Sequence, residues 1–557
     1  MDFKVKLISS LAKVFPCREP ENTIRKAAAL RGERYSFQAA FFSTSQWLDV
    51  EVTVDSPLKE HIILRQVDLV PVDVFPFCED QKLDDDSLMT EPGLAPDLLR
   101  PLWQNCVMTA ENQWRAMWVT VNVPADFAAG KYPVKLIFTA ILPTGKRKRL
   151  TTATLNLEVI DAVIPEQKLM VTHWFHSDCL AAFYRDEAFS PQHFEICRNF
   201  INNAVDHGMN MILTPIFTPP LDTQIGGERP TVQLVKIKLA DGRYSFDFSL
   251  LDRWVEIAMQ CGIKYFEMAH LFTQWGAKRT PKIVVETENG SEKLFGWHVK
   301  ANSAEYREFL DQFLPQLTEH LRELGIADRC VFHCSDEPRP SMLKDYRYAS
   351  KLIRKHLKGF KLMDALSNPD FYELGLVDTP VVCENHYDMF DKFDLKERWI
   401  YYCCSPANDY PNRFIHFPSA RNRVMGMLMY YLGADGFLHW GFNFYYTRNS
   451  RYVVSPFGDT TCGHAFPGGD AFLVYPGDDG KPLDSIRHEV FTEGLQDMRV
   501  LQLLEGFYGR KFLQKTLDKF AADGKITALD HPKDEAAMLK FRDKVNSLLR
   551  KAVAAKG

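Results

Sequence analysis

Eight short apolar runs between residues 169 and 444 constrain this chain more than any other feature. They are LMVTHWFH (169–176), MNMILTPIF (209–217), IKYFEMAHLF (263–272), CVFHCSDE (330–337), KLMDALSN (361–368), TPVVCENH (379–386), WIYYCCSP (399–406) and GFLHWGFNF (436–444). Between them lie segments of helical periodicity. SPQHFEICRNFINNAVDHG (190–208) offers Ser190 as N-cap and Gly208 as stop. FSLLDRWVEIAMQCG (248–262) stops at Gly262, and NSAEYREFLDQFLPQLTEHLRELG (302–325) runs from a Ser303 cap to Gly325. Strand-length runs alternating with helices predict a parallel sheet. Eight such units in about 340 residues predict a (β/α)8 TIM-like barrel. The sixth is the least regular, with only DKFDLKER for its helix. A doubly wound open sheet is the second possibility, but no Gly-rich phosphate fingerprint follows the first strand.

The first 165 residues keep a different rhythm. MWVTVNV (117–123) and LDVEVTV (48–54) alternate with the two-residue period of half-buried strands. Turn signals recur at Pro57, Pro71, Pro124, Gly130 and Pro143-Thr144-Gly145. This pattern predicts a β-sandwich. The expected layout is multidomain: a sandwich over 1–165, a catalytic barrel over 166–510, and a short C-terminal helical segment over 511–557. That last segment is Lys-rich and reads as a solvated packing appendage.

Composition excludes several function classes. With 46% hydrophobic and 25% charged residues the chain reads as an ordinary globular protein. A net charge of −5 makes no electrostatic case for nucleic acid or an anionic membrane. The one basic cluster, Lys146 to Arg149, reads as a solvated hairpin tip. No apolar run reaches the roughly 18 to 20 residues of a membrane helix. MDFKVKLISSLAKVFP reads as a first strand, with no signal peptide visible, so a cytoplasmic location is expected. The twelve cysteines show no paired CxxC spacing for zinc. Cys403-Cys404 reads as packing. No metal or cofactor is expected.

Barrel enzymes place their chemistry where strands end. Those ends carry Trp174, His176 and Asp178; Thr214; Glu267, His270 and Trp275; His333, Asp336 and Glu337; Glu384, Asn385, His386 and Tyr387; and His439, Trp440, Asn443 and Tyr445. A mouth of carboxylates, amides and indoles suits a sugar, whose C–H face packs on aromatics while its hydroxyls need polar partners. Trp174, His176, His270, Asn385, Tyr387, Trp440, Asn443 and Tyr445 are therefore the candidate substrate contacts. For His270 and His439 a satisfied core residue is the commoner meaning.

Asp336 and Glu337 resist a structural explanation, because adjacent like charges repel. Where the pleat ends both can turn into the mouth, and Pro338 biases Glu337 toward an extended backbone. Two close carboxyls push their pKa values apart, supplying an acid and an anion for glycosidic cleavage. A covalent mechanism needs a second carboxylate across the sugar. The seventh run offers none, and Glu384 is the nearest substitute. The other solution is substrate assistance. A 2-acetamido group attacks its own anomeric carbon, Glu337 protonates the leaving oxygen, and Asp336 steadies the resulting oxazolinium.

The chain resembles glycoside hydrolase family 123, the β-N-acetylgalactosaminidases. RGERYSFQAAF (31–41) and VPADFAAGKYPVKL (123–136) are similar to its N-terminal sandwich, and HWFHSDCLA (173–181) to its first barrel strand. CSDEP (334–338) resembles its catalytic motif, FLHWGFNFY (437–445) its last strand, and LDSIRHEVFTEGLQDMRVLQLL (483–504) its closing helix. The resemblance implies retaining, substrate-assisted hydrolysis of terminal β-linked N-acetylgalactosamine. It assigns Asp336 to the acetamide and Glu337 to acid/base work, with a glycan as the partner. Gln496-Asp497-Met498 departs from the family's usual acidic-aromatic run. A catalytically silent carbohydrate-binding protein and a glycosidase using Glu384 as covalent nucleophile remain the alternatives.

Overall fold

The computed structural model describes residues 3–76 and 82–555. Two five-stranded sheets form its N-terminal part. The first runs, in spatial order, Phe3–Ser9, Arg34–Ser43, Gln113–Asn122, Ile62–Val72 and Gly93–Pro101. The second runs Lys26–Arg31, Arg147–Val163, Gly130–Ile141, Val50–Asp55 and Cys106–Val107. Phe37, Phe41, Met117, Val119 and Val121 of the first sheet meet Val52, Leu136, Phe138, Leu155 and Leu157 of the second in a shared core.

The alternation in MWVTVNV does not mean half-buried strands. Met117, Trp118, Val119, Thr120 and Val121 are all fully buried. Odd positions face the other sheet, and even positions such as Ala40 and Trp118 join the core that continues into the barrel. Period two survives because the two faces have different neighbours, not because one is wet.

What covers that second face is the helix Ile486–Tyr508, buried along most of its length. Arg34 and Arg65 both donate to the Glu489 carboxylate. Arg487 makes a two-point contact with Asp97 at 3.0 and 2.9 Å. Further along, Gly494 faces Gly426 of the helix Met425–Leu432. A Cβ on Gly426 would lie 1.7 Å from the Gly494 carbonyl oxygen, so only glycine lets these backbones approach so closely.

The C-terminal helix Glu535–Ala554 is no solvated appendage. It buries Phe541, Val545 and Leu549, and its Arg542 spans Glu33 (2.7 Å) and Asp497 (2.6 Å). Its lysines occupy the solvent stripe of an amphipathic helix, and lysine content alone does not distinguish that stripe from full exposure.

The eight apolar runs become eight parallel strands: β1 (Met170–His173), β2 (Met211–Thr214), β3 (Tyr265–Met268), β4 (Cys330–Phe332), β5 (Lys361–Leu366), β6 (Thr379–Cys383), β7 (Trp399–Tyr401) and β8 (Gly436–His439). They hydrogen-bond in the order β1-β8-β7-β6-β5-β4-β3-β2. The remaining seam, β1 to β2, carries no regular ladder. Asn210 stitches it instead: its side chain accepts from Val171 N (2.8 Å) and donates to Leu169 O (2.9 Å), and its backbone N–H reaches Val171 O (3.1 Å). The barrel is thus nearly closed.

Ser190 and Ser303 cap their helices as expected, accepting from His193 N and Tyr306 N. The strict alternation of strand and helix fails after β5 and β6. Only the single turn Asp370–Glu373 follows β5, and a 3-10 segment, Glu384–Phe390, follows β6. DKFDLKER forms no α-helix, because Phe393 and Leu395 are too few to build an apolar stripe. The excursions after β2 and β3 meet in a four-stranded sheet of Lys236–Ala240, Arg243–Asp247, Ile283–Thr287 and Gly290–Phe295, a feature the sequence reading missed. Among the described residues no helix is long and apolar enough to cross a membrane.

Candidate active site

β4 ends at Phe332, and His333-Cys334-Ser335 carry the chain onward to Asp336 and Glu337. Asp364, fully buried on β5, fixes this passage. Its carboxylate accepts the backbone N–H groups of Cys334 (3.1 Å) and Ser335 (3.2 Å) and the Tyr346 hydroxyl. It also faces His333 Nδ1 at 3.2 Å, while His333 Nε2 faces Glu267 of β3 at 3.1 Å. Burial opposes charge on that imidazole, but the hydrogen bonds to Asp364 and Glu267 lift its pKa to about 9. Glu267 in turn accepts from Trp174 Nε1 (3.1 Å). A buried polar chain therefore links the first, third, fourth and fifth strands beneath the mouth.

Glu337 does not adopt the extended backbone that Pro338 favours. Its φ is +39°, in the left-handed region that non-glycine residues avoid. The loop held by Asp364 overrides the local preference and turns the side chain toward Tyr401, at the end of β7, whose hydroxyl donates to Glu337 Oε1 at 2.6 Å. Burial first, then the Glu337 charge, hold the Tyr401 hydroxyl far above its ordinary pKa, so it stays a neutral donor. Burial also raises the Asp336 carboxyl well above the usual carboxylate range, with the neighbouring Glu337 charge adding to it and Asp364 contributing.

Asp336 and Glu337 both line a cavity of about 690 Å³ at the C-terminal ends of the strands. Trp174, Trp440, Phe444 and Phe466 give it an aromatic side. Trp440 is held by its Nε1 donating to Asp470 at 2.9 Å. His176 is on the wall too, with Nε2 against Trp440 O (2.8 Å) and Nδ1 receiving Arg229 (3.0 Å). Burial and the Arg229 charge keep that imidazole neutral. A second cavity, of about 890 Å³, opens alongside and shares Trp275 and Glu337 with the first. Asp336 belongs to the first cavity alone.

Other predicted contacts lie elsewhere. His270 is 1% exposed, packed edge-on to Trp174 and stacked on His333, below the cavity floor. Asn385 is on the surface of the 3-10 segment, pointed away by the helical twist that replaces the extended end of β6. Tyr387 is buried, its hydroxyl receiving Arg398 (3.3 Å). Asn443 is buried and spends its amide on His176 N (2.8 Å) and O (3.2 Å), positioning that residue. Tyr445 donates to Val474 O (2.8 Å) inside the core. His439 is likewise a core group, receiving Arg413 at 2.7 Å. Glu384, 3% exposed and pushed far toward its neutral form by burial, is absent from the cavity wall.

The sequence reading missed several wall residues. Asp222 and Gln274 come from the excursions after β2 and β3, where no strand end marks them. Gln274 Oε1 accepts from Asp222 N (2.6 Å), leaving its buried Nε2 without a protein partner. Asp222 carboxylate receives Ser450 N (3.2 Å), and burial pushes its pKa to about 6. Tyr401 is within reach of the sequence, since it lies in the seventh run and ends the strand that run forms. Cys403 and Cys404 line the cavity rather than merely filling the core. His270, His333 and Asp364 bring ligating atoms within 4.8 Å of one another, but both His333 nitrogens already face carboxylates, so a cation there would compete with the proton His333 carries.

The family model described as "Glycoside hydrolase 123, catalytic domain" matches residues 174–504. Among solved structures, a family 123 glycoside hydrolase from Clostridium perfringens, studied for glycolipid glycan hydrolysis, aligns with a TM-score of 0.75 at 17% identity, covering 100% of this chain and 99% of that one. A β-D-glucuronidase from Dictyoglomus thermophilum aligns over 89% of this chain and 68% of its own, with a TM-score of only 0.33 at 10% identity. No curated protein matches the chain.

Proposed function

The chain belongs to glycoside hydrolase family 123, and from that premise we propose that it removes terminal β-linked N-acetylhexosamine, N-acetylgalactosamine foremost, by a retaining, substrate-assisted mechanism. One observation carries the division of labour. Glu337 borders both cavities, whereas Asp336 borders only the first. A proton donor must stand between the sugar and its leaving group, and the residue that steadies the acetamide belongs wholly on the sugar's side.

In the first cavity the sugar's apolar face packs on Trp174 and Trp440. Asp336 accepts the acetamide N–H and orients the carbonyl oxygen beneath the anomeric carbon. Burial and the neighbouring Glu337 charge favour the neutral form of Asp336. A cationic oxazolinium forming beside Asp336 reverses that preference and draws the anion to where the charge develops. Glu337 protonates the leaving oxygen and then takes a proton from the incoming water, with Tyr401 fixing its carboxyl. Asp222 and Gln274 serve the sugar's remaining hydroxyls. The covalent alternative through Glu384 loses its footing, since that carboxyl is buried off the cavity and held neutral.

The test is inhibition by a thiazoline mimic of the cyclic intermediate, measured on aryl β-N-acetylgalactosaminide. Competitive inhibition well below the substrate KM is expected. Turnover unaffected by the mimic would refute the substrate-assisted route.

A further inference from the structure

The second cavity has no role in the sugar's own recognition, yet it touches the proton donor. Its wall combines the apolar faces of Trp275, Pro338 and Met389 with Arg339, Asn368 and His386. Trp275 is 44% exposed and stands between the two cavities. Arg339 is exposed, and among the described residues no carboxylate lies within ion-pair distance of it. Buried His386 Nδ1 has no protein partner. Glu337 is the only carboxyl on this wall.

Resting on the reading of Glu337 as proton donor, we propose that this cavity is the leaving-group subsite and that it takes a second sugar bearing an acidic substituent, a carboxylate or a sulfate. The leaving oxygen must lie against Glu337, so the group attached to that oxygen continues into the space on its far side. The cavity, about 890 Å³ counted out to its solvent-open mouth, has room for a pyranose ring. Trp275 supplies the stacking face a sugar ring uses. An arginine facing no protein carboxylate is the side chain suited to bind an anion through paired N–H groups, and His386 offers a further donor.

The experiment compares kcat/KM for three substrates with the same terminal N-acetylgalactosamine: an aryl glycoside, a neutral disaccharide, and a disaccharide whose reducing sugar is a uronic acid or is sulfated. In wild type the acidic disaccharide is expected to exceed the neutral one by tenfold or more. Arg339→Ala should lower the acidic-to-aryl ratio about tenfold, and Arg339→Lys should restore part of it, a rescue that a purely structural role would not give. A neutral disaccharide cleaved as well as the acidic one, or an acidic-to-aryl ratio unmoved by Arg339→Ala, overturns the assignment. Failure of the underlying reading is separately visible, because Glu337→Gln would then lose no more rate on poor leaving groups than on good ones.

Discussion

Glu337 has its backbone at φ +39°, a conformation costing about 1 kcal/mol or more for a side chain with a Cβ. Glu337→Gly should therefore abolish hydrolysis yet melt at or above the wild-type temperature, whereas an ordinary loop Glu→Gly change lowers it. Glu337→Gln keeps the strain and loses the proton. Its rate should fall by about 10²–10⁴-fold, most for poor leaving groups, as read from kcat across a series of aryl glycosides. Asp336 is expected to set the acid side of the pH profile. Burial and Glu337 raise its pKa, so on acidification it is neutralised sooner than a free carboxyl. The acid limb of kcat/KM should lie above the ordinary carboxylate value of about 4. The sequence places both acids where the fourth run ends, and both line the cavity there. The Glu337 backbone was not, since a distant carboxylate, Asp364, decides it.

At the scale of elements, the buried chain Trp174–Glu267–His333–Asp364 holds the loop that carries Asp336 and Glu337 to β5. His333 has a folded pKa of about 9, raised over an unfolded value near 6.5. Its contribution is thus complete below about pH 6.5 and is lost as pH rises through 9, amounting to about 3 kcal/mol. Thermal melts from pH 6 to 10 should show this decline, and His333→Phe should flatten it. Gly426→Ala should lower stability by about 2 kcal/mol or more, because the helix Met425–Leu432 must back away from Gly494. All eight strands were legible, since apolar runs of strand length bounded by turns have few other uses. Asn385, Tyr387, Asn443 and Tyr445 were misplaced for one shared reason. Strand-end position fixes where a backbone leaves the barrel, and the turn that follows decides which side chains face the mouth. Asp222 and Gln274 were invisible because long excursions bring them back to it.

Across the whole molecule, the N-terminal sheets are part of the barrel's own core. Trp118 and Ala40 pack into it, and Glu489 neutralises Arg34 and Arg65 across the junction. Removing a carboxylate from such a buried cluster leaves two guanidinium groups short of a partner, so Glu489→Ala should cost about 3 kcal/mol or more, measured by chemical denaturation. For the same reason residues 166–557 expressed alone should not yield a cooperative melt. The most direct measurement is the turnover of paired aryl β-glycosides, identical except for a 2-acetamido or a 2-hydroxyl group, by wild type and Asp336→Asn. The account predicts that only the acetamido substrate is cleaved and that Asp336→Asn slows it at least 10²-fold. Equal turnover of both substrates, or an undiminished rate in Asp336→Asn, would contradict it.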